Sequence, residues 1–423
     1  MSENKEISMK SDQGEKGPSS LKGKILPAEE EPRKAIINFL RQGLEKKCFD
    51  LLLIPLQEPE TKSYSWVLVK DEELLEQANP LPPVMTVQGA NALTGITKHG
   101  KMGFKIAVLL RPCEMRAVAE LSKLNQIDLE DIVLISFDCP GAMPLSDYMK
   151  EPDKIAGNFD EILKRWEISE SLRPVCQICH RFSLSSLLPS SFEESALQNS
   201  ESGSPVSDLH IGIGKENKNI FLIPVTSKGK DMLNNLEFAV EDSLQDWESK
   251  VEGIRKLKLE NKEKFEQEWQ SKIQGPDNFA DAFDECINCH NCMRVCPICY
   301  CQQCYFDSQN LKLSPHDYLE RAQKRGALRF PLDTLLFHLG RMSHMALSCV
   351  SCGACEDGCP MSIPIAQIFT TVGEQVQKDF NYIPGKDREG SLPLQDYLQD
   401  EFYEVETPRE NEKMPDREKE KNV

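Results

Sequence analysis

Residues 286–297, CINCHNCMRVCP, and residues 349–360, CVSCGACEDGCP, carry the same spacing twice: C-x2-C-x2-C-x3-C-P. Two-residue gaps let three successive thiolates converge on one cubane, and the longer gap with its proline turns the fourth thiolate away toward a second cluster. The spacing therefore predicts that Cys286, Cys289, Cys292 and Cys359 hold one 4Fe-4S cluster, and that Cys349, Cys352, Cys355 and Cys296 hold another. The small or turn-tolerant residues Gly353, Ala354 and Gly358 let backbone N–H groups approach the sulfurs and tune their potential. Zinc is the competing ligand, but structural zinc sites pair two C-x2–4-C hairpins rather than two triplets that each end in C-P.

Between the two runs, Pro331–Leu347 (PLDTLLFHLGRMSHMAL) has helical spacing. Leu335, Leu336, Leu339, Met342 and Leu347 are expected to form its packed stripe, with His338 and His344 given no role. Upstream, residues 240–274 (VEDSLQDWESKVEGIRKLKLENKEKFEQEWQSKIQ) lack proline and space their few apolar residues helically, which predicts a long connecting helix with a solvated charged face. Before it, Ala35–Lys47 reads as an amphipathic helix. Short apolar runs follow at Phe49–Pro55, Ser65–Val69, Phe104–Leu110, Asp131–Phe137 and Asn219–Val225, so an α/β or α+β domain is expected up to about residue 230. Ser190–Val206 is polar and reads as a surface loop.

Four cysteines stand in that first region: Cys113, Cys139, Cys176 and Cys179. Cys113 and Cys139 each follow an apolar strand-like run, which would put both at one edge of one sheet, where sites of α/β folds collect. Cys113 also opens a predicted helix, Glu114–Leu124, whose dipole favours an anionic thiolate cluster. The C-x2-C pair of Cys176 and Cys179 suits a third cubane, a zinc ion or a redox pair, and spacing leaves all three open. Cys48 reads as a buried small hydrophobe, and Cys299, Cys301 and Cys304 as packed or accessory thiols.

At 423 residues the chain exceeds the about 250 to 300 at which single cores stop growing. The expected class is α+β: a disordered tail at 1–30, an α/β-type domain at 31–235, a linking helix at 236–275, an α-rich dicluster ferredoxin-like domain at 276–385 and a charged tail at 386–423. No apolar run approaches the roughly 20 residues of a membrane span. The N-terminus has no export signal, so sixteen cysteines point to metal ligation in a reducing, cytoplasmic setting rather than to disulfides. A net charge of −18 argues against nucleic acid as a partner.

Three longer stretches extend these readings: residues 286–304 with 330–364 (CINCHNCMRVCPICYCQQC and FPLDTLLFHLGRMSHMALSCVSCGACEDGCPMSIP), residues 101–139 (KMGFKIAVLLRPCEMRAVAELSKLNQIDLEDIVLISFDC) and residues 207–233 (SDLHIGIGKENKNIFLIPVTSKGKDML). Over roughly residues 85 to 385 the chain resembles the beta subunits of deazaflavin-dependent hydrogenases and formate dehydrogenases, most of all the formate dehydrogenase beta subunit. That resemblance implies a third 4Fe-4S cluster on Cys113, Cys139, Cys176 and Cys179, with a bound FAD beside it that exchanges hydride with an 8-hydroxy-5-deazaflavin coenzyme. It also implies a molybdenum or tungsten alpha subunit that oxidises formate.

The family's N-terminal Gly-Gly-x-Val-Thr-like helix start is replaced here by EEEPRKAIINFLRQGLEKKCFD, which has no glycine pair. Its small-residue stretch survives only as Gly89, Ala90 and Asn91, the expected flavin contacts. Two functional readings follow: a hydride-transferring iron–sulfur flavoprotein subunit, or an electron-transfer adaptor without hydride chemistry that links a dehydrogenase to a heterodisulfide-reductase-like complex.

Overall fold

Ile106–Leu110 (IAVLL) and Ile132–Phe137 (IVLISF) are buried at every position, a pattern of strands covered on both faces. In the computed structural model they lie parallel and adjacent, with Ile106 opposite Ile132 and Leu110 opposite Ser136. The structure describes residues 22–29, 31–184, 206–236, 241–311, 314–327 and 333–393.

Within these residues the strands are β1 Lys22–Pro27, β2 Leu51–Gln57, β3 Tyr64–Val69, β4 Ile106–Leu110, β5 Ile132–Phe137, β6 Leu209–Ile213, β7 Asn219–Pro224 and β8 Glu241–Ser243. They form one mixed sheet in the order β3-β2-β4-β5-β6-β7-β1-β8. The central β2, β4, β5 and β6 are parallel. β3 closes one side by antiparallel pairing, and β7, β1 and β8 continue the sheet antiparallel on the other.

The two-residue period of a strand sorts the apolar side chains into layers. Ile106, Val108, Leu110, Ile132 and Leu134 share one face with α2 (Gly89–Thr97) and α3 (Pro112–Lys123). Ala107, Leu109, Val133, Ile135 and Phe137 share the other with α1 (Pro32–Glu45) and the first turns of α4 (Gln245–Ile273). The strut α4 spans both cores: Trp247 and Val251 pack on the sheet, whereas Phe265 and Trp269 join the C-terminal core. Its polar face is not wholly solvated, because Arg255 and Lys258 are buried. The C-terminal core is completed by α5 (Thr334–Met345) and α6 (Ile365–Asp379).

Two expectations about the ends need correction. Residues 22–27 are not tail but strand β1, held because Lys24 and Ile25 pair with Leu222 and Phe221 of β7; pairing supplied by a distant strand leaves no local periodicity to read. Residues 386–393 also pack: Arg388 donates to the Val206 carbonyl and pairs with Asp208, and Leu392 is buried. The expected loop at 190–206 lies outside the described residues except for buried Val206, as does the tail beyond 393.

A buried polar spine crosses the middle of the sheet. Ser136 Oγ lies 2.7 Å from His210 Nδ1, and His210 Nε2 lies 3.0 Å from Asp138 Oδ1. Asp138 also accepts from Ile213 N at 2.8 Å, Trp247 Nε1 at 2.7 Å and the Ser183 hydroxyl. Burial alone would raise the Asp138 pKa, but the bonds from His210 and Ser183 more than offset it and hold the carboxyl below its usual range. Although it has the residues of a catalytic triad, the spine is sealed from solvent and serves to fix the exit of β5.

Gly212 lets the Trp247 indole lie against the sheet, since a Cβ there would fall 2.7 Å from Nε1. Trp247→Ala is expected to cost about 3–5 kcal/mol through the cavity it leaves. Trp247→Phe, which strips a donor from buried Asp138, is expected to cost about 1–3 kcal/mol. Urea unfolding measures both, and an alanine variant within error of the parent would contradict this packing.

Candidate metal centres

Both cysteine runs adopt the same backbone. Asn288 and Ser351, the second residue after the first cysteine of each run, have φ of 55° and 54°; His290 and Gly353, the residue after the second cysteine, have 61° and 81°. Left-handed residues at these points curl the chain so that successive thiols and N–H groups face inward. Asn288 N donates to Cys286 Sγ at 3.4 Å, and the Ser351 N–H plays the same part for Cys349.

The fourth cysteine of each run lies beside thiols of the other run. Cys359 lies near Cys286 and Cys292, so each thiolate disfavours the others' charge. Cys296 bears likewise on Cys349, Cys352 and Cys355, and these four line one hollow with Pro297, Met345 and Phe369. Burial pushes Cys292 and Cys349 up to about 11, Cys352 to about 12 and Cys355 well above the usual thiol value. Metal binding at these sites therefore has to displace protons.

Cys113, Cys139, Cys176 and Cys179 come from three separate segments and line a single hollow. As expected, the first two leave the same edge of the sheet: Cys113 is the second residue of α3, just after β4, and Cys139 follows β5. Arg111 Nη1 donates to Cys139 Sγ at 3.3 Å, and Lys258 Nζ to the Cys176 carbonyl at 2.8 Å. Gly141, at φ 128°, clears the space, because a Cβ there would meet Leu172 and Cys176. Burial, followed by the nearby charges of Glu114, Cys352 and Cys139, raises the Cys113 thiol well above its usual value. Four such thiols could hold a third cubane. Ser351 and Cys352 line both this hollow and that of Cys296, so the two ligand sets share a wall.

The shared wall is fixed by Arg173. Its Nη1 donates to the Cys352 carbonyl at 3.0 Å and its Nη2 to the Met85 carbonyl at 3.3 Å, and the guanidinium pairs with half-buried Asp357. Gly353 allows the approach, since a Cβ there would lie 3.1 Å from Arg173 Cδ.

Gly89, Ala90 and Asn91, the expected flavin contacts, open α2 and hydrogen-bond within the chain. Gly89 N donates to Glu114 Oε1 at 2.8 Å and Ala90 N to Gln88 Oε1 at 2.6 Å, while Asn91 Nδ2 donates to the Val295 carbonyl of the C-terminal module at 3.2 Å. Gly89 and Ala90 are buried, and all three spend their donors within the chain. A neighbouring hollow, lined by Tyr64, Trp66, Pro82, Met85 and Arg111, borders the third set, because Met85 and Arg111 face both.

The helix α5 is rotated from its expected phase. Leu335, Leu336 and Leu339 are exposed (39, 53 and 52%), and the inward stripe is Phe337, His338, Arg341, Met342 and Met345. Thiols on the inward side give His338 and Arg341 partners, so apolarity alone misjudged the face. His338 Nε2 lies 3.4 Å from Cys286 Sγ, and burial, aided by Arg341 and His290, lowers its pKa to about 3. Arg341 Nη1 donates to Cys292 Sγ at 3.1 Å. The only sequence signal for either was a basic residue inside an otherwise apolar helix. Of the remaining thiols, Cys48 is buried, Cys301 is exposed, Cys304 lies 3.6 Å from Met293 Sδ, and Cys299 lies 3.4 Å from Met345 Sδ beside Cys296.

Residues 281–363 match a family model described as a 4Fe-4S dicluster domain. The chain is similar to the F420-dependent formate dehydrogenase subunit beta of Methanocaldococcus jannaschii, 29% identical over 398 residues that cover 85% of this chain and 93% of the relative. It is also similar to the F420-dependent formate dehydrogenase 1 subunit beta of Methanococcus maripaludis, 28% identical over 372 residues, 78% of this chain and 85% of that one. A chain of the F420-reducing NiFe hydrogenase complex from Methanosarcina barkeri superposes with a TM-score of 0.42 and 11% identity, over 62% of this chain and 95% of its own, a likeness too slight to carry an argument. No described helix is long and apolar enough to cross a membrane. The chain is thus similar to formate dehydrogenase beta subunits along most of its length, and within it residues 281–363 match the 4Fe-4S dicluster model.

Proposed function

We propose that this chain is the electron-carrying beta subunit of a formate dehydrogenase or hydrogenase complex, joining a molybdenum or tungsten catalytic partner to a hydride-accepting deazaflavin coenzyme. One observation carries the reading: Cys113, Cys139, Cys176 and Cys179 meet in a single hollow whose wall, Ser351–Cys352, belongs also to the dicluster module. An adaptor needing only the two C-terminal ligand sets would have no use for that convergence. The clusters supply single-electron transfer and FAD supplies the exchange of two electrons as hydride when these groups are bound.

The chain's own part is positional. Cys286, Cys289, Cys292 and Cys359 form the outermost ligand set, Cys296, Cys349, Cys352 and Cys355 the middle one, and Cys113, Cys139, Cys176 and Cys179 the innermost, at the edge of the sheet. Phe369, Met345 and Phe182 exclude water from the middle and inner sets. A flavin ring beside the inner set would lie against Tyr64, Trp66 and Met85, which line the neighbouring hollow. Gly89, Ala90 and Asn91 then act as the seam between modules and not as a phosphate cradle, since their donors are taken. Free thiols devoted to metal agree with a reducing, cytoplasmic setting.

The occupied donors at Gly89 and Ala90 favour a second reading, an adaptor without flavin that serves a heterodisulfide-reductase-like complex. Iron and flavin analysis of the anaerobically purified protein separates the two. About twelve irons, four per cubane, with about one FAD are expected; about twelve irons without flavin would favour the adaptor, and about eight would remove the inner set. Cys113→Ser is expected to lower iron by about four per chain, and unchanged iron would contradict the inner ligand set.

A further inference from the structure

A charged guanidinium taken out of water needs an anion beside it, or the desolvation cost stands uncompensated. Three buried arginines, Arg111, Arg116 and Arg341, form no ion pair with a carboxylate among the described residues, and of these Arg116 and Arg341 also leave Nε without a partner. Arg341 is 2% exposed. It donates to the Cys292 thiol at 3.1 Å and to the Cys292 carbonyl at 3.1 Å, lies over the rings of Phe337 and Phe369 and leaves its Nε without a partner. Arg116, on α3, is 5% exposed, has an unpartnered Nε and makes no ion pair or hydrogen bond among the described residues. It lines a hollow together with Cys179, Cys349 and Ser351. The one carboxylate of that hollow, Glu374, is already paired with Lys262 at 2.7 Å.

Each of these cations stands at a junction. Burial opposes the charge of Arg341, and the anions that act on it most are Cys292 of the outer set, then Cys299, and then Cys296 and Cys355 of the middle set. Arg116 acts on Cys113 of the inner set and on Cys349 of the middle set. Other buried cations near the thiols have protein partners that account for them: Arg173 has Asp357, and Arg111 has the carbonyls of Gly141 and Pro82.

We propose that Arg341 and Arg116 are internal counter-cations of the ligand sets, Arg341 shared by the outer and middle sets and Arg116 by the middle and inner sets. The inference rests on the reading of Cys113, Cys139, Cys176 and Cys179 as a third cubane site. A thiolate-bound cubane is anionic and gains a further negative charge on reduction, so a fixed cation at the junction favours the reduced form of both neighbours. The middle set faces both arginines and is raised twice.

The test is an EPR-monitored redox titration of the anaerobic full-length protein and four variants, Arg341→Met, Arg341→Lys, Arg116→Met and Arg116→Lys. Iron is counted first, and signals are assigned with Cys292→Ser, Cys355→Ser and Cys113→Ser. Eight irons in the parent would defeat the inner-site reading itself, separately from this proposal. With twelve irons, Arg341→Met is expected to lower the outer and middle potentials and leave the inner one unmoved, and Arg116→Met to lower the middle and inner ones and leave the outer one unmoved. The reduced-to-oxidised ratio at fixed poise should fall about tenfold, which is about 59 mV for a one-electron couple. The lysine variants should stay near the parent. Should a methionine variant lose iron, retention by its lysine counterpart supports the role of charge. Unmoved potentials, identical shifts from both methionine variants, or lysine variants that behave like methionine would overturn the proposal.

Discussion

Arg173 is the interaction on which the rest of the molecule depends. One guanidinium holds the Cys352 carbonyl, the Met85 carbonyl and the Asp357 carboxylate, and so presses the second cysteine run against the edge of the sheet. A buried cation of this kind is stable only while all its partners are in place. The cost of that constraint is met by geometry: Gly353 takes the left-handed conformation and leaves room for the side chain. Because the contact is made through Cys352, the turn that carries a ligand of the middle set is also the turn that walls the inner one. Packing and wiring are therefore the same contact.

Around this contact the charge of the protein is turned inside out. The chain is acidic overall, yet most charged groups buried near the thiols are cations, Arg111, Arg116, Arg173, Arg341 and Lys258, with the carboxylate of Glu114 beside Cys113. Net charge speaks for the solvated surface and for solubility, and it conceals an interior arranged for anions. The buried thiols, pushed toward their neutral forms by desolvation, are incomplete without a metal group that takes their protons away. The sealed Ser136–His210–Asp138–Trp247 spine has the complementary task of holding the β5 exit, and with it Cys139, in one position.

Much of this was legible in the sequence, for identifiable reasons. Cysteine spacing encodes thiol geometry directly, so the convergence of thiols from the two C-terminal runs could be read from CINCHNCMRVCP and CVSCGACEDGCP alone. Strands buried on both faces, such as IAVLL, announce themselves by continuous apolarity, and that put Cys113 and Cys139 at one sheet edge before any coordinates. What stayed illegible depends on distant partners. Strand β1 exists because β7 pairs with it. The inward face of α5 is decided by thiols that satisfy His338 and Arg341, where an apolar count picks Leu335, Leu336 and Leu339 instead. Gly89 and Ala90 look like a cofactor approach in sequence, and only the fold reveals that Glu114 and Gln88 already hold their N–H groups.

The central claim is that three ligand sets share one interior, the innermost of them at the sheet edge between Cys113, Cys139, Cys176 and Cys179. Anomalous diffraction at the iron edge from anaerobically grown crystals tests it most directly. The account predicts three iron centres, one of them enclosed by those four thiols and separated from the next by the Ser351–Cys352 turn. Two centres only, both within residues 286–359, with Cys113 and Cys139 bare, would contradict it.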